Sequence, residues 1–314
     1  MSNVSAADVA TQAAALAGNT QGYWSGVIRK LARDKVAMTC LGIILLLIAA
    51  AILAPWLGLA DPYRGAIARR LRGICWLDGT LDCAAVSTPW GPHIYWLGGD
   101  EQGRDMLARL IHGGRLSLFI GLLPVLNAFV IGSLLGIVAG YRGGTVNTMI
   151  MRTIDVFYAF PSVLLAIAIS GALGAGILNS IVSLTIVFIP PIARVAESVT
   201  TQVRSLDFVD AARASGAGAF TIIRVHVLNN VLGPIFVFAT SLISVSMILA
   251  SGLSFLGLGT KPPEPEWGLM LNTLRTAIYQ QPLVAALPGA MIFMVSICFN
   301  LLSDGLRSAM DVRT

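Results

Sequence analysis

The chain has 314 residues, a formal net charge of +5, 56% apolar residues and only 12% charged ones. A soluble domain carries about 25% charged residues, so a globule of this size with a fully polar coat is excluded, and lipid is the natural solvent for most of the chain. The surplus of basic residues forms no stripe with interleaved aromatics, so nucleic-acid binding has no support.

Residues 1–28 are rich in Ala, Ser and Gln, with one acid, Asp8, and are expected to be mobile. Arg29, Lys30, Arg33 and Lys35 then precede an apolar tract that begins too late and runs too long for a cleaved signal segment. That places residues 1–35 as an N-terminal cytoplasmic segment and 36–58 as a first membrane span. Residues 59–115 form a long polar loop outside the membrane. A five-span core occupies 116–303, and 304–314 is a short tail. Within the core the spans are predicted at about 116–140, 155–172, 177–196, 234–257 and 283–303. The third and fourth share a charge-free tract of 38 residues between Asp155 and Arg194, split at Gly171, Gly174 and Gly176. A helix needs about 20 apolar residues to cross the hydrocarbon core. Barrel strands would alternate over about ten residues, which these continuous tracts do not. The fold class expected is all-α integral membrane with six transmembrane helices.

Six spans put both termini on one side, and the charges choose which. Twelve basic residues flank the spans on the side of the termini, among them Arg142, Arg152, Arg194, Arg204, Arg213, Arg224, Arg307 and Arg313. The short loops opposite hold only Lys261 and Arg275. Basic residues accumulate in cytoplasmic loops, so both ends are expected in the cytoplasm.

Gly132, Gly136 and Gly140 form a small-residue stripe on the second span, suited to close helix packing within the chain or against a partner subunit. No charge sits near the centre of a span, where ion-coupled transporters place theirs. A phosphate-binding G-x-x-x-x-G-K-[ST] loop is missing too. If the chain moves cargo uphill, another polypeptide must supply the energy. No catalytic Ser/His/Asp, Cys/His or paired-carboxylate set stands out, so an enzyme is not expected. Cys40 and Cys298 lie in apolar tracts and read as packing residues. Cys75 and Cys83 sit in the outer loop, in an oxidising compartment by this topology, and a disulfide or two free thiols are both open. His93, His112 and His226 have no metal-ligand spacing, so no metal or other cofactor is expected in this chain.

The polar stretch 207–230 carries helix formers on both sides of Gly216, which predicts a short helix, a sharp turn and a second helix. Its pattern is Asp210-Ala211-Ala212, three residues from Arg213, Gly216, nine residues, then His226-Val-Leu228. This resembles the EAA loop of ABC importer permeases, with Asp210 in place of the usual Glu. Asn229 stands in place of the usual Pro, a departure expected to loosen the start of the following helix. Further blocks resemble the C-type permeases of dipeptide, oligopeptide, glutathione and nickel importers. These are Trp96–Leu110 with Gly113–Ser117, Asp155–Pro161, Ser254–Gly259 with Pro262–Gly268, and Asn300–Arg307, in order over about 90–310.

The resemblance implies a permease subunit in a bacterial inner membrane, forming half of a path for di- or oligopeptides. Glutathione, nickel chelates or another small solute are the alternative cargoes, and a secondary transporter the remote one. It implies a second homologous permease subunit, two cytoplasmic ATPases that bind ATP and Mg, and an extracytoplasmic binding protein as partners. Asp210, Ala211, Ala212, Arg213, Gly216, His226 and Leu228 would form the ATPase-coupling loop. The proline-rich loop with Pro262, Pro263, Trp267 and Gly268 is open to two roles, a docking surface or gate, and a spacer.

Overall fold

The computed structural model describes residues 23–77, 86–88 and 91–310; the readings for residues 1–22, for Cys83 and for Arg313 lie outside them. Helices dominate. After α1 (Tyr23–Leu31) and α2 (Lys35–Leu53) comes a long outer segment whose described strands, β1 (Val86–Thr88) and β2 (Gly91–His93), pair antiparallel. Then follow α3 (Met106–Arg142), α4 (Gly144–Tyr158), α5 (Ser162–Leu173), α6 (Ile177–Arg204) and α7 (Asp207–Ala214). A helical turn, Ala219–Thr221, and a π-helical stretch, Ile222–Val227, lead without a break into α8 (Leu228–Phe255). The chain closes with α9 (Trp267–Thr273) and α10 (Pro282–Met310).

Among the described residues, five helical stretches are long and apolar enough to cross a membrane, and six if the bent pair α4–α5 counts as one span. That pair corrects the predicted third span at 155–172. Residues 155–158 belong to α4, which meets α5 at 88°. The break falls at 159–161 because Pro161 has no amide to donate and disfavours helical geometry at Phe160. What remains, α5, has 12 residues and a length of about 18 Å, well short of the hydrocarbon thickness.

The first 28 residues also need correcting at their end, since Tyr23 onward is helical. In α1, Val27, Ile28 and Leu31 fall on one side and Ser25 and Arg29 on the other, the pattern of a helix half in contact with apolar surroundings.

One apolar core joins the long helices, through Ile120 and Val125 of α3, Leu184 and Ile192 of α6, Ile235 and Met247 of α8, and Val284 and Val295 of α10. The α3–α6 pair is the backbone of the bundle, and the glycine stripe makes it. A Cβ on Gly132 would lie 3.0 Å from the Ile189 carbonyl, one on Gly140 2.7 Å from the Glu197 carbonyl, and one on Gly136 2.5 Å from the Ala196 Cβ. The stripe therefore packs against α6 of the same chain.

α2 stands at the edge of the bundle and packs on α10. Gly305 lets Ala37, Asp34 and Leu31 approach, and Asp34 caps α2 by accepting from the amides of Val36 (2.9 Å) and Ala37 (3.1 Å). Deeper in this seam, Cys40, Ile44 and Cys298 form a small cluster in which both thiols are free. Mild oxidation of membranes is expected to join Cys40 to Cys298, seen by mass spectrometry as a cross-linked peptide pair. Full alkylation of both thiols after oxidation would count against this packing.

Candidate functional site

The bundle has two polar ends. One carries α1, the C-termini of α3, α6 and α10, and α7; it holds most of the arginines. The other carries the 57–105 segment and the 256–281 segment.

At the basic end, α7 stands on the bundle through Val209, which is fully buried in one cluster with Ile222 and Val227, and through Ala212, which packs against that cluster. The helix ends in a Schellman turn. The Ala217 amide donates to the Ala212 carbonyl (3.1 Å) and the Gly216 amide to that of Arg213 (3.0 Å). Gly216 has φ +82°, the left-handed geometry this turn requires, and open space around it. Asp210 and Arg213 are exposed and paired at 2.8 Å, and the Arg213 guanidinium lies 5.8 Å from the centre of the Tyr141 ring. Ala211 is exposed, and its carbonyl accepts from the amide and the hydroxyl of Ser215. Ala212 is half-buried. His226 returns from the other side of the turn to face Phe208, with ring centres 6.2 Å apart, and Leu228 packs on the core. Asp210 to Gly216 thus lie on one short helix and its turn, and His226 reaches that helix through Phe208.

The side chains that sequence reading missed here are apolar. Leu206, Phe208, Phe220 and Val225 are exposed, Phe220 by 77%. Their signal was the aromatic residues inside a stretch otherwise read only for its charge and glycine. Asn229 does not open the helix that follows. Its amide donates to the Val225 carbonyl (3.1 Å) and that of Asn230 to the His226 carbonyl (2.6 Å), serving acceptors within the π-helical stretch.

A second polar contact ties the α4–α5 elbow to α6. Arg194 pairs with Asp155 at 2.5 Å and lies 4.6 Å over the Tyr158 ring.

At the opposite end, the segment before α3 is knotted around Asp100. Its carboxylate accepts from the amides of Gln102 and Arg104 and pairs with Arg104 (2.6 Å) and Arg109 (3.4 Å). Arg109 then donates to the carbonyls of Pro62 (2.8 Å), Pro263 and Glu264 (3.4 Å each), binding the proline-rich loop to α3. Pro262 and Pro263 are at the surface. Trp267 and Gly268 are not. Trp267 is buried to 1% exposure with its indole nitrogen on the Leu110 carbonyl (2.9 Å), and Gly268 packs on Ser251 of α8. What this loop offers at the surface is its prolines, and Trp267 is the anchor below them.

Beside Trp267 lies Glu266, missed in the sequence because one of its partners, Ser117, lies 149 residues away. Its carboxylate caps α9 through the amides of Gly268 and Leu269 (2.8 Å each) and accepts from the Ser117 hydroxyl (3.2 Å). Burial pushes the Glu266 carboxyl up from its ordinary range, and hydrogen bonds from Gly268, Leu269, Ser254 and Ser117 oppose the push. Glu266→Ala is expected to cost about 2–3 kcal/mol, a lost cap plus unsatisfied buried donors. A melting scan of the detergent-solubilised protein reads this as a drop of several degrees, and an unchanged midpoint would show that the network is not needed.

Cys75 is disulfide-bonded, and Cys83 lies outside the described residues. His112 is spent on the Ala108 carbonyl one turn back. No group of three potential metal ligands occurs among the described residues.

Comparisons with known proteins add to this geometry. A family profile described as "binding-protein-dependent transport system inner membrane component" matches residues 132–314, and one described as "N-terminal TM domain of oligopeptide transport permease C" matches 22–70. The chain is 39% identical to the di/tripeptide transport system permease protein DppC of Pseudomonas aeruginosa, over 90% of each chain. It is also 39% identical to the glutathione transport system permease protein GsiD of Pectobacterium atrosepticum, over 92% of this chain and 90% of that one. Among solved structures, a chain of the inward-facing MetNI methionine ABC transporter superposes with a TM-score of 0.53 at 18% identity, covering 65% of this chain and 97% of that one.

Proposed function

Because the chain belongs to the binding-protein-dependent transport system inner membrane components, and is thus a multi-pass inner-membrane permease subunit of an ABC importer, we propose that its cargo is a di- or oligopeptide. The observation that carries this reading is the 39% identity to a di/tripeptide permease along nine-tenths of both chains. Glutathione, itself a tripeptide, is the second reading, favoured by the equal identity to GsiD.

In this reading the basic end faces the cytoplasm. The chain pairs with a second permease subunit, two ATPases bind ATP and Mg beneath them, and a binding protein delivers cargo from above. α7 is the docking helix, offering Phe208, the Asp210–Arg213 pair and the small faces of Ala211 and Ala212 to an ATPase groove. Because Val209 is sunk in the core, a displacement of α7 reaches the π-helical stretch and α8. The stretch from Ala219 to Phe255 is one continuous 37-residue helical path, about 55 Å long. Its far end meets the Glu266–Trp267 cap through Ser251 and Ser254. A stroke delivered at Gly216 is thereby carried to the loops that face the binding protein. Arg194, holding Asp155 and Tyr158, keeps the elbow of the broken third span fixed to α6 while α8 moves.

The test is purification of the complex with its binding protein, identification of the co-eluting ligand by mass spectrometry, and uptake of that ligand into vesicles. Peptides that enter only with ATP and all four kinds of subunit support the reading. A non-peptide ligand overturns the cargo assignment. Accumulation by this chain alone, without any ATPase, overturns the coupling assignment.

A further inference from the structure

α1 and the turn after it have no part in the import cycle above, yet they carry a dense charge cluster. Arg29, Lys30, Arg33 and Lys35 lie within seven residues, and Arg29, Arg33 and Lys35 are exposed. The acid among them, Asp34, is occupied with the amides of Val36 and Ala37 as the cap of α2. The cluster therefore presents positive charge outward.

Its height in the bilayer is fixed by packing. Val27 is buried to 5% and Leu31 lies against Gly305 of α10, so α1 is pinned to the bundle. Directly after Lys35 the chain enters 25 charge-free residues that hold the first span, which is the most sparsely covered of the five, with 22% of its apolar window buried, so the chain itself leaves most of this wall open to lipid. The cationic groups thus sit where this apolar wall begins, at the level of headgroups. Ile28, 65% exposed, and Val36, 56% exposed, stand beside them as apolar contacts for the acyl region. A short helix with an apolar side and basic residues at its end, lying at the mouth of a lipid-exposed span, matches an anionic bilayer surface in both polarity and charge.

We propose that Arg29, Arg33 and Lys35, with α1, form a binding surface for anionic phospholipid headgroups, of the phosphatidylglycerol class. Phosphodiester oxygens would accept from the two guanidiniums, and the acyl chain would lie along α2. The surface depends only on where the cluster sits relative to the first span, and not on the nature of the cargo.

The experiment uses the full chain reconstituted in phosphatidylcholine vesicles with trace spin-labelled phosphatidylglycerol or phosphatidylcholine. The motionally restricted fraction of each label gives their relative association with the protein. The native chain is expected to prefer phosphatidylglycerol, with the preference declining as salt screens it. R29Q/R33Q/K35Q is expected to lower that preference by at least about fivefold, which is the weight of one basic side chain near an anionic surface. Formation of the Cys40–Cys298 cross-link in the variant shows that the α2–α10 seam is intact; if it fails, R29Q and R33Q are measured singly, each expected to lower the preference. Equal association of the two lipids with the native chain overturns the proposal. So does a preference that the substitutions leave unchanged. A non-peptide cargo would leave both results standing.

Discussion

Replacing Gly216 by proline is expected to abolish ATP-driven uptake while leaving the chain inserted in the membrane at its normal level. Gly216 holds φ +82°, and its amide donates to the Arg213 carbonyl. Proline fixes φ near −65° and has no amide to donate, so the Schellman turn cannot close. α7 would then lose its set angle to the π-helical stretch, and with it the placing of the exposed Asp210–Arg213 pair. The damage is local, because nothing packs within 4 Å of a Cβ at this position and the residue is exposed. Gly216→Ala separates geometry from bulk. It keeps the amide and meets no neighbour, and costs about 1–2 kcal/mol for a side chain in left-handed geometry, so uptake is expected to fall only in part. Initial uptake rates of the reconstituted complex, normalised to the amount of this chain in the membrane, give the comparison. A proline variant with native uptake would refute the role assigned to this turn.

The helix-turn-helix was legible because each part is encoded locally. Small residues, a carboxylate and a glycine occur at fixed distances, and a Schellman turn needs glycine at one place. The long spans were legible for a similar reason, as charge-free tracts from 25 to 38 residues leave a membrane chain few options. The third span was misplaced because Pro161 competes with the glycines at 171–176 as a chain breaker, and hydropathy alone does not rank them. α1 was missed because nine residues beside a low-complexity start give a periodic signal too short to stand out. At the outer cap, sequence position misled in a different way. Trp267 follows a proline-rich, polar stretch and reads as surface, but its indole fills the space above Gly113 and Gly114. Glu266 is satisfied by Ser117, 149 positions earlier. Only the folded chain brings those two together, so no local pattern announces the pair. The glycine stripe lay between these cases, since its spacing promised a helix contact without naming the partner.

That contact leads to the second large effect. Gly136→Leu is expected to prevent accumulation of folded protein. A Cβ at 136 would already lie 2.5 Å from the Ala196 Cβ and 2.8 Å from the Glu197 amide nitrogen. These are parts of α6 that cannot turn aside as the tip of a flexible side chain would. Both helices are held elsewhere. Arg204 donates to the carbonyls of Gly140 (3.2 Å) and Tyr141 (3.1 Å), and Asn147 bridges the Ala139 carbonyl and the Glu197 carboxylate. Spreading α3 from α6 would break these bonds and open the core around Ile192 and Ala196, both fully buried. Overpacking of a rigid core costs about 1–3 kcal/mol or more, and here the main helix pair has no route to relax. Gly171→Leu is the matched control, because that glycine lies in α5 with nothing within 4 Å of its Cβ, and a leucine there adds helix propensity without a clash. Size-exclusion profiles of detergent-solubilised membranes should show a native peak for the Gly171 variant and a lost or aggregated one for the Gly136 variant. A native profile and melting midpoint for Gly136→Leu would mean that α3 and α6 are not apposed along this stripe. The coupling path from α7 through the bundle would then need another frame to move against.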